Sequence, residues 1–200
     1  SSPVYSESRS VGCTAIWLGS ARSPEFNIRG YCSGNSRHKG KYMHLQAMLR
    51  NFYHDRRVLV TGHTGFKGSW LSTWLQLLGA EVMGVSLEPP SSPSMFQELQ
   101  LKDLIHSLHV DINDYSTLQK TVKDFAPEVV IHMAALSLVR PSYKEPLATM
   151  NTNIMGTARV LEACRHCPSV RAVVVVTSDK CYRNNEWVWG YRENDPMGGH

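Results

Sequence analysis

Apolar positions along the chain alternate between short β-branched runs and segments with helical spacing. The β-branched runs predict strands over 56–61, 80–86, 107–110, 129–133 and 170–177. Helical spacing predicts helices over 69–78, over 114–125 after the capping residue Asp114, and over 146–164. Strands that alternate with helices form right-handed βαβ units around a parallel sheet. The sequence therefore predicts an α/β fold with a doubly wound parallel sheet of the Rossmann type, ending after its fifth strand.

The first quarter of the chain has no sustained apolar period. Its longest apolar stretch, Thr14–Leu18, is shorter than the roughly 7–15 apolar residues of a signal-peptide core. Residues 1–50 carry a net charge of +5, whereas the rest of the chain carries −1. The sequence therefore predicts a disordered extension over 1–47 and an ordered domain over 48–200, although a Ser- and Arg-rich, acid-poor segment also fits an organelle transit peptide.

Composition excludes several classes of protein. With 42% hydrophobic and 19% charged residues, the chain is neither a disordered polymer nor a coiled coil. It has no apolar run of about 18 residues, so no membrane helix is expected. The near-neutral main part argues against nucleic-acid partners. Five cysteines favour a reducing compartment, and we expect a cytoplasmic protein; Cys164 and Cys167 close a helix and are expected to be structural.

A glycine-rich turn connects the first strand to the first helix. Gly62, Gly65 and Gly68 give the spacing GxxGxxG between them. Glycine permits the tight turn and the close approach of a ligand, and the free amides at the helix start, those of Phe66 and Lys67, suit a pyrophosphate. A plain turn that happens to use glycines is the alternative, and the flanking strand and helix favour dinucleotide binding.

Several longer strings identify a family. They are TGHTGFKG (61–68), VDIND (110–114), IHMAA (131–135), NTNIMGT (151–157), TSDKCY (177–182) and EWVWGYRENDPMGGH (186–200). Together with GHTGFKGSWLS (62–72) and SLVRPSY (137–143), they resemble the extended short-chain dehydrogenase/reductase family, and within it the nucleotide-sugar dehydratases that act on CDP-glucose. The resemblance implies an NAD-dependent lyase that oxidises C4 of the sugar, eliminates water across C5–C6 and returns hydride to C6.

The resemblance also assigns roles to residues of this chain. Those implied to bind the cofactor are Gly62, Thr64, Gly65, Phe66, Lys67, Gly68, Asp111, Ile112, Ala134, Ala135 and Asn153. Ser178 is implied to bind the sugar 4-hydroxyl, Asp179 to protonate the departing 6-hydroxyl, and Lys180 to act at the C5 proton. From the residues alone, Asp111 also suits a strand-end turn, the two alanines simple packing, and 178–180 a solvated loop. No metal site is expected.

Two features refine the cofactor assignment. The second strand ends at Ser86 with Glu88 as the next acid, and no Arg or Lys stands there to receive a 2′-phosphate, so NAD is favoured over NADP. Leu136 stands where the family usually has glutamine.

The sequence has no Tyr-x-x-x-Lys, the proton-transfer motif of this family, since none of its eight tyrosines has lysine four positions later. We therefore expect the chain to be a fragment that binds NAD without turning over CDP-glucose. An epimerase of the same superfamily and a non-catalytic NAD-binding remnant remain alternatives. A homo-oligomer is compatible with the sequence, which does not fix the oligomeric state.

Overall fold

The computed structural model describes residues 7–10, 13–17 and 38–198, with one sheet and helices on both of its faces. The strands are β1 (Glu7–Ser10), β2 (Cys13–Trp17), β3 (Arg57–Thr61), β4 (Glu81–Ser86), β5 (His106–His109), β6 (Val129–His132) and β7 (Ala172–Val176). The α-helices are α1 (His38–Tyr53), α2 (Phe66–Leu77), α3 (Met95–Glu98), α4 (Leu101–Leu104), α5 (Tyr115–Phe125), α6 (Val139–Lys144), α7 (Pro146–Met150) and α8 (Thr157–Arg165). A π-helical segment, Asn151–Gly156, joins α7 to α8, and a 3-10 turn covers Asp179–Cys181.

The five predicted strands are confirmed as the parallel part of the sheet. The strand order is β1-β2-β7-β6-β3-β4-β5, with β3 between β4 and β6. The chain first moves outward from β3 through β4 to β5 and then returns to β6 and β7 on the other side. The order reverses beside β3, so the carboxyl ends of β3 and β6 meet at the switch point where doubly wound sheets bind ligands.

Each face of the sheet carries its own core. Helices α5 and α8 pack on one face, where Leu118, Val122 and Val160 are almost fully buried. Helix α2 packs on the opposite face, where Leu75 lies against Val58 and neighbouring strand residues. Helix α5 begins, as predicted, after Asp114, whose side chain accepts the Thr117 amide N–H. None of the helices in the described part of the chain is long and apolar enough to cross a membrane.

Part of the N-terminal quarter joins the sheet. Strands β1 and β2 form an antiparallel pair, and β2 runs antiparallel to β7 from Cys13 opposite Val176 to Trp17 opposite Ala172. Helix α1 also begins at His38, ten residues before the expected boundary. The sequence predicts no regular structure before residue 48. The edge strand of a sheet offers unpaired backbone N–H and C=O groups to any extended segment. Because such pairing uses the backbone, the weak hydrophobicity of residues 1–47 does not predict it. The domain division at residue 47 stays a prediction.

The helix predicted over 146–164 contains a π-helical interruption. Residues 151–156 make i→i+5 hydrogen bonds instead of the α-helical pattern. Gly156 lies in this segment against the core residue Ile112, and a Cβ at Gly156 would be 2.6 Å from Ile112 Cδ1. The widened turn therefore lies where the helix crosses the loop after β5.

Cys164 and Cys167 are both free and buried in the core beneath α8, as expected of structural cysteines. Burial, with a smaller effect of Cys167, raises the pKa of the Cys164 thiol to about 12. We expect a maleimide at pH 7.5 to label Cys181, which is partly exposed, at least about tenfold faster than Cys164, because the thiolate is the reactive form. Peptide mass spectrometry after timed quenching measures both rates. Equal rates in the folded chain would contradict the burial, and labelling in urea provides the control.

Candidate functional site

The turn after β3, residues 62–65, is a tight glycine-rich turn, which we call the glycine loop. Gly62 has φ +79°, which an L side chain rarely adopts, and its amide N–H donates to the Val85 carbonyl at 2.8 Å. A Cβ at Gly62 would lie 2.9 Å from the Ala134 amide nitrogen. The loop is therefore pressed against the backbone that follows β6, and only glycine fits there.

Helix α2 begins directly at this loop with its first amides available. Its N-cap is Gly65, which offers no side-chain cap to the N–H groups of the first turn. A Cβ at Gly68 would lie 2.1 Å from the Gly62 carbonyl oxygen, so the third glycine allows the helix to approach the loop. Free amides at the positive end of a twelve-residue helix suit a pyrophosphate. The residues present therefore fit a dinucleotide, with Phe66 and Lys67 exposed beside them.

A buried histidine within the glycine loop packs against strands β4 and β5. His63 is fully buried, its Nε2 lies 2.7 Å from Ser107 Oγ, and its ring meets Phe96 edge-on. Burial lowers its pKa to about 4. A Cβ at Gly84 would lie 2.3 Å from His63 Cγ. Sequence reasoning missed His63, although a glycine inside strand β4 is a signal of close approach by another group.

The end of β4, where a ribose is expected, is occupied by hydroxyl groups. Thr64 is buried, and its Oγ1 lies 2.7 Å from Ser86 Oγ and donates to the Leu87 carbonyl at 3.0 Å. Glu88 is exposed and pairs with His109 across 2.6 Å. The Thr64 hydroxyl is thus hydrogen-bonded within the protein, and any contact of Thr64 with a cofactor would use its backbone.

The loop after β5 brings the predicted adenine contacts to the same edge. The Asp111 carboxylate is exposed and accepts the Asn113 amide N–H at 2.9 Å, which makes a local turn. The Ile112 side chain is 4% exposed and belongs to the core, so it is not available to a ligand. The adenine assignment of both residues stays a prediction.

The segment after β6, residues 133–136, crosses the edge of the sheet beside the glycine loop. We call it the crossover segment. Thr61 Oγ1 accepts the amide N–H groups of Met133 and Ala134, both at 3.1 Å. Asn153 from the π-helical segment accepts the Leu136 amide N–H at 2.8 Å and donates to the Leu136 carbonyl at 3.0 Å. Asn153 therefore holds the backbone of the crossover segment, a role that sequence reasoning missed, and its contact with a cofactor stays a prediction.

A second buried histidine lies under the crossover segment. His132 is 2% exposed, and burial lowers its pKa to about 4. Its two ring nitrogens lie 2.7 Å from Thr61 Oγ1 and 2.9 Å from Thr157 Oγ1. The partners of this histidine cannot be predicted from local sequence patterns, because they lie 71 and 25 positions away.

The predicted catalytic residues follow β7 at the same edge of the sheet. In the register, Thr61 pairs with His132, and His132 pairs with Val175. Since strands lie about 4.8 Å apart, the end of β7 is about 10 Å from the end of β3. Ser178 and Lys180 are exposed, and Ser178 Oγ accepts the Lys180 amide N–H at 3.0 Å. The fold thus places 178–180 on the same edge as the glycine loop, with the crossover segment between them.

Within the described residues, no group of three His, Cys, Asp or Glu side chains lies close enough together to hold a metal ion.

Comparison with protein families matches residues 59–199 to the family described as GDP-mannose 4,6 dehydratase. Among curated proteins, the chain is 54% identical over 151 residues to the CDP-glucose 4,6-dehydratase of Salmonella typhimurium. That match covers 76% of this chain and 42% of the relative. The GDP-mannose 4,6-dehydratase of Vibrio cholerae is 32% identical over 116 residues, covering 55% of this chain and 31% of the relative. The chain therefore spans less than half of the length of these relatives.

Solved structures show the same fold. The UDP-glucose-4-epimerase of Stenotrophomonas maltophila, with bound NAD and formylated UDP-arabinopyranose, superimposes with a TM-score of 0.62 at 27% identity. The match covers 72% of this chain and 43% of that one. The UDP-glucose 4-epimerase of Brucella ovis in complex with NAD gives a TM-score of 0.62 at 25% identity over 72% of this chain and 42% of its own. The Rossmann-type fold is thereby confirmed.

Proposed function

The chain belongs to the GDP-mannose 4,6-dehydratase family, and from that premise we propose that it forms the NAD-binding part of a nucleotide-sugar 4,6-dehydratase whose substrate is CDP-glucose. The observation that carries the proposal is the glycine loop, whose backbone leaves room for a pyrophosphate at an uncapped helix start. The 54% identity to a CDP-glucose 4,6-dehydratase favours that sugar nucleotide over others. The product would be CDP-4-keto-6-deoxyglucose.

The chain's own residues would hold the cofactor along the edge of the sheet. The pyrophosphate would accept hydrogen bonds from the amides of Phe66 and Lys67, and the adenine would lie near Asp111 and Ile112. The residues at the end of β4, 86–88, include no Arg or Lys that could receive a 2′-phosphate, which favours NAD over NADP. Ala134 and Ala135 are small where the crossover segment would pass the nicotinamide ribose. Bound NAD supplies the hydride acceptance and return that no side chain can perform.

The residues after β7 would bind the sugar and transfer protons during the reaction. In this proposal the Ser178 hydroxyl binds the 4-hydroxyl of the glucose, Asp179 gives its proton to the departing 6-hydroxyl, and Lys180 acts at the C5 proton. Their position about two strand spacings from the glycine loop supports this assignment, because a sugar between them would lie beside the crossover segment. Related solved structures are 4-epimerases, which need no acid for elimination, so the Asp179–Lys180 pair favours the dehydratase over an epimerase.

Calorimetric titration with NAD tests the proposal on the 200-residue chain. We expect NAD to bind and NADP to bind about tenfold more weakly, since residues 86–88 offer no Arg or Lys to a 2′-phosphate. Gly62→Val would abolish NAD binding, because its side chain would collide with the Ala134 backbone. Gly190→Val is the matched control, since a Cβ there meets no atom within 4 Å.

The same preparations incubated with CDP-glucose test the activity. Because the chain lacks Tyr-x-x-x-Lys, we expect NAD binding without formation of a 4-keto-6-deoxy sugar. Absence of NAD binding to the unmodified chain would overturn the proposal. Release of a C4 epimer instead of a dehydrated sugar would favour an epimerase.

A further inference from the structure

A chain of side-chain hydrogen bonds runs beneath the crossover segment, from the end of β3 to the π-helical segment. Thr61 Oγ1 lies 2.7 Å from His132 Nδ1, and His132 Nε2 lies 2.9 Å from Thr157 Oγ1. The Thr157 hydroxyl donates to the Asn153 carbonyl at 2.7 Å. Thr61 and His132 are almost completely buried, so water does not replace these partners.

The number of donors and acceptors gives this chain one direction. Thr61 Oγ1 accepts the amide N–H of Ala134 and shares that of Met133 with the Thr61 main-chain carbonyl, which lies 3.2 Å from the Met133 nitrogen. The Thr61 hydrogen is therefore left to donate to His132 Nδ1, which must carry no proton. The proton of the neutral imidazole then lies on Nε2 and donates to Thr157, whose own hydrogen goes to the carbonyl of Asn153. Each hydroxyl and ring nitrogen has one compatible role.

The two ends of this chain both hold the crossover segment. At one end, Thr61 holds the amides of Met133 and Ala134, and Ala134 is the backbone that presses against Gly62. At the other end, the Asn153 residue whose carbonyl accepts from Thr157 clamps both backbone groups of Leu136 with its side chain. A displacement of the imidazole would therefore move the backbone at both ends of residues 133–136.

We propose that His132, fixed as the Nε2–H tautomer by Thr61 and Thr157, is a positioning residue that sets the distance between the glycine loop and the crossover segment. This inference rests on the proposed function, because that distance matters for activity only where a dinucleotide lies between the two. His132 is 2% exposed, and its ring nitrogens lie against the hydroxyl groups of Thr61 and Thr157. It acts through the backbone amides of Met133 and Ala134.

The test combines hydroxyl variants with a direct reading of the tautomer. Thr157→Val removes the acceptor of the His132 Nε2–H at nearly constant volume, whereas Thr157→Ser keeps a hydroxyl. We expect NAD affinity, measured by calorimetry, to fall about tenfold in Thr157→Val and to return to within about twofold in Thr157→Ser, because an unpaired buried donor shifts the ring. Thr149→Val is the matched control. Its hydroxyl makes the same bond to the carbonyl four residues earlier, at 2.9 Å, but has no histidine partner.

Long-range ¹H–¹⁵N NMR of the unmodified chain reads the tautomer without any substitution. We expect His132 to show a protonated Nε2 and an unprotonated Nδ1, and Thr157→Val, but not Thr149→Val, to move the amide signals of Met133 and Ala134. A proton on Nδ1 would overturn the inference, and so would unchanged amide signals in a folded Thr157→Val chain. If the unmodified chain binds no NAD, the proposed function fails, and these NMR signals alone decide the positioning role.

Discussion

Replacing Gly68 by alanine is expected to lower the free energy of unfolding by about 3 kcal/mol and to abolish NAD binding. The new Cβ would lie 2.1 Å from the Gly62 carbonyl oxygen and 2.8 Å from His63 Cα. Both are backbone atoms, so no side-chain rotation relieves the contact, and helix α2 has to move away from the glycine loop. Urea unfolding followed by circular dichroism measures the loss of stability, provided that the m-value is unchanged.

Gly65→Ala is the control for this change, because it is a glycine of the same loop. It has φ −74°, and a Cβ would meet only the Gly62 carbonyl oxygen at 3.4 Å. We expect a stability change below about 1 kcal/mol. Equal losses for the two alanine variants would contradict the packing of helix α2 against the loop.

The second large effect is a loss of stability in mild acid. Burial lowers the pKa values of His63 and His132 to about 4, whereas both titrate near 6.5 in the unfolded chain. Between these values the unfolded state binds more protons, so stability rises with pH across the window and is complete above about pH 7. Linkage predicts a loss of about 2 kcal/mol for each histidine between pH 7.5 and pH 5, about 4 kcal/mol in total. That is a large part of the stability of a small domain.

Urea midpoints at pH 7.5, 6 and 5 measure this dependence. His63→Gln should show about half of the loss, whereas His106→Gln, at an exposed histidine, should keep all of it. The pKa of the Glu162 carboxyl is lowered to about 2, chiefly by its hydrogen bond with Arg165, and that of Asp114 is lowered by Thr117. Both carboxylates lie at the surface, and their contribution to stability is lost as pH falls below about 4.5. That range lies below the pH range of 7.5 to 5 in which the histidines act. Equal midpoints at pH 7.5 and pH 5 would contradict neutral, buried imidazoles.

The parts of the fold that the sequence predicted are those with local signals. Strand β3 and the glycines after it lie side by side in the chain, and Asp114 caps the helix that follows it directly. Periodicity of apolar residues located the five parallel strands to within about two residues, because burial on both faces demands continuous β-branched runs. The edge of the sheet that carries the candidate site follows from that topology.

The parts that were missed depend on contacts between distant positions. His63 fits only because Gly84, 21 positions later, has no side chain. The apolar spacing of a π-helical segment over six residues differs too little from that of an α-helix to be seen in 146–164. Strands β1 and β2 lack strong apolar character, and their pairing depends on the edge of β7. A sequence pattern reports what each segment prefers, and these features depend on what a second segment offers.

The π-helical segment also fixes the number of residues between two contacts, that of Asn153 with Leu136 and that of Val160 with the core. A π turn contains one residue more than an α turn, so the helix before it is rotated by roughly 100° relative to an uninterrupted helix. Asn153 lies inside the widened turn and reaches Leu136, while Val160 in α8 faces the core. Deleting one residue from 151–156 would therefore point α7 in another direction even if every remaining side chain were kept. Here the count of residues, rather than their identity, carries the structural information.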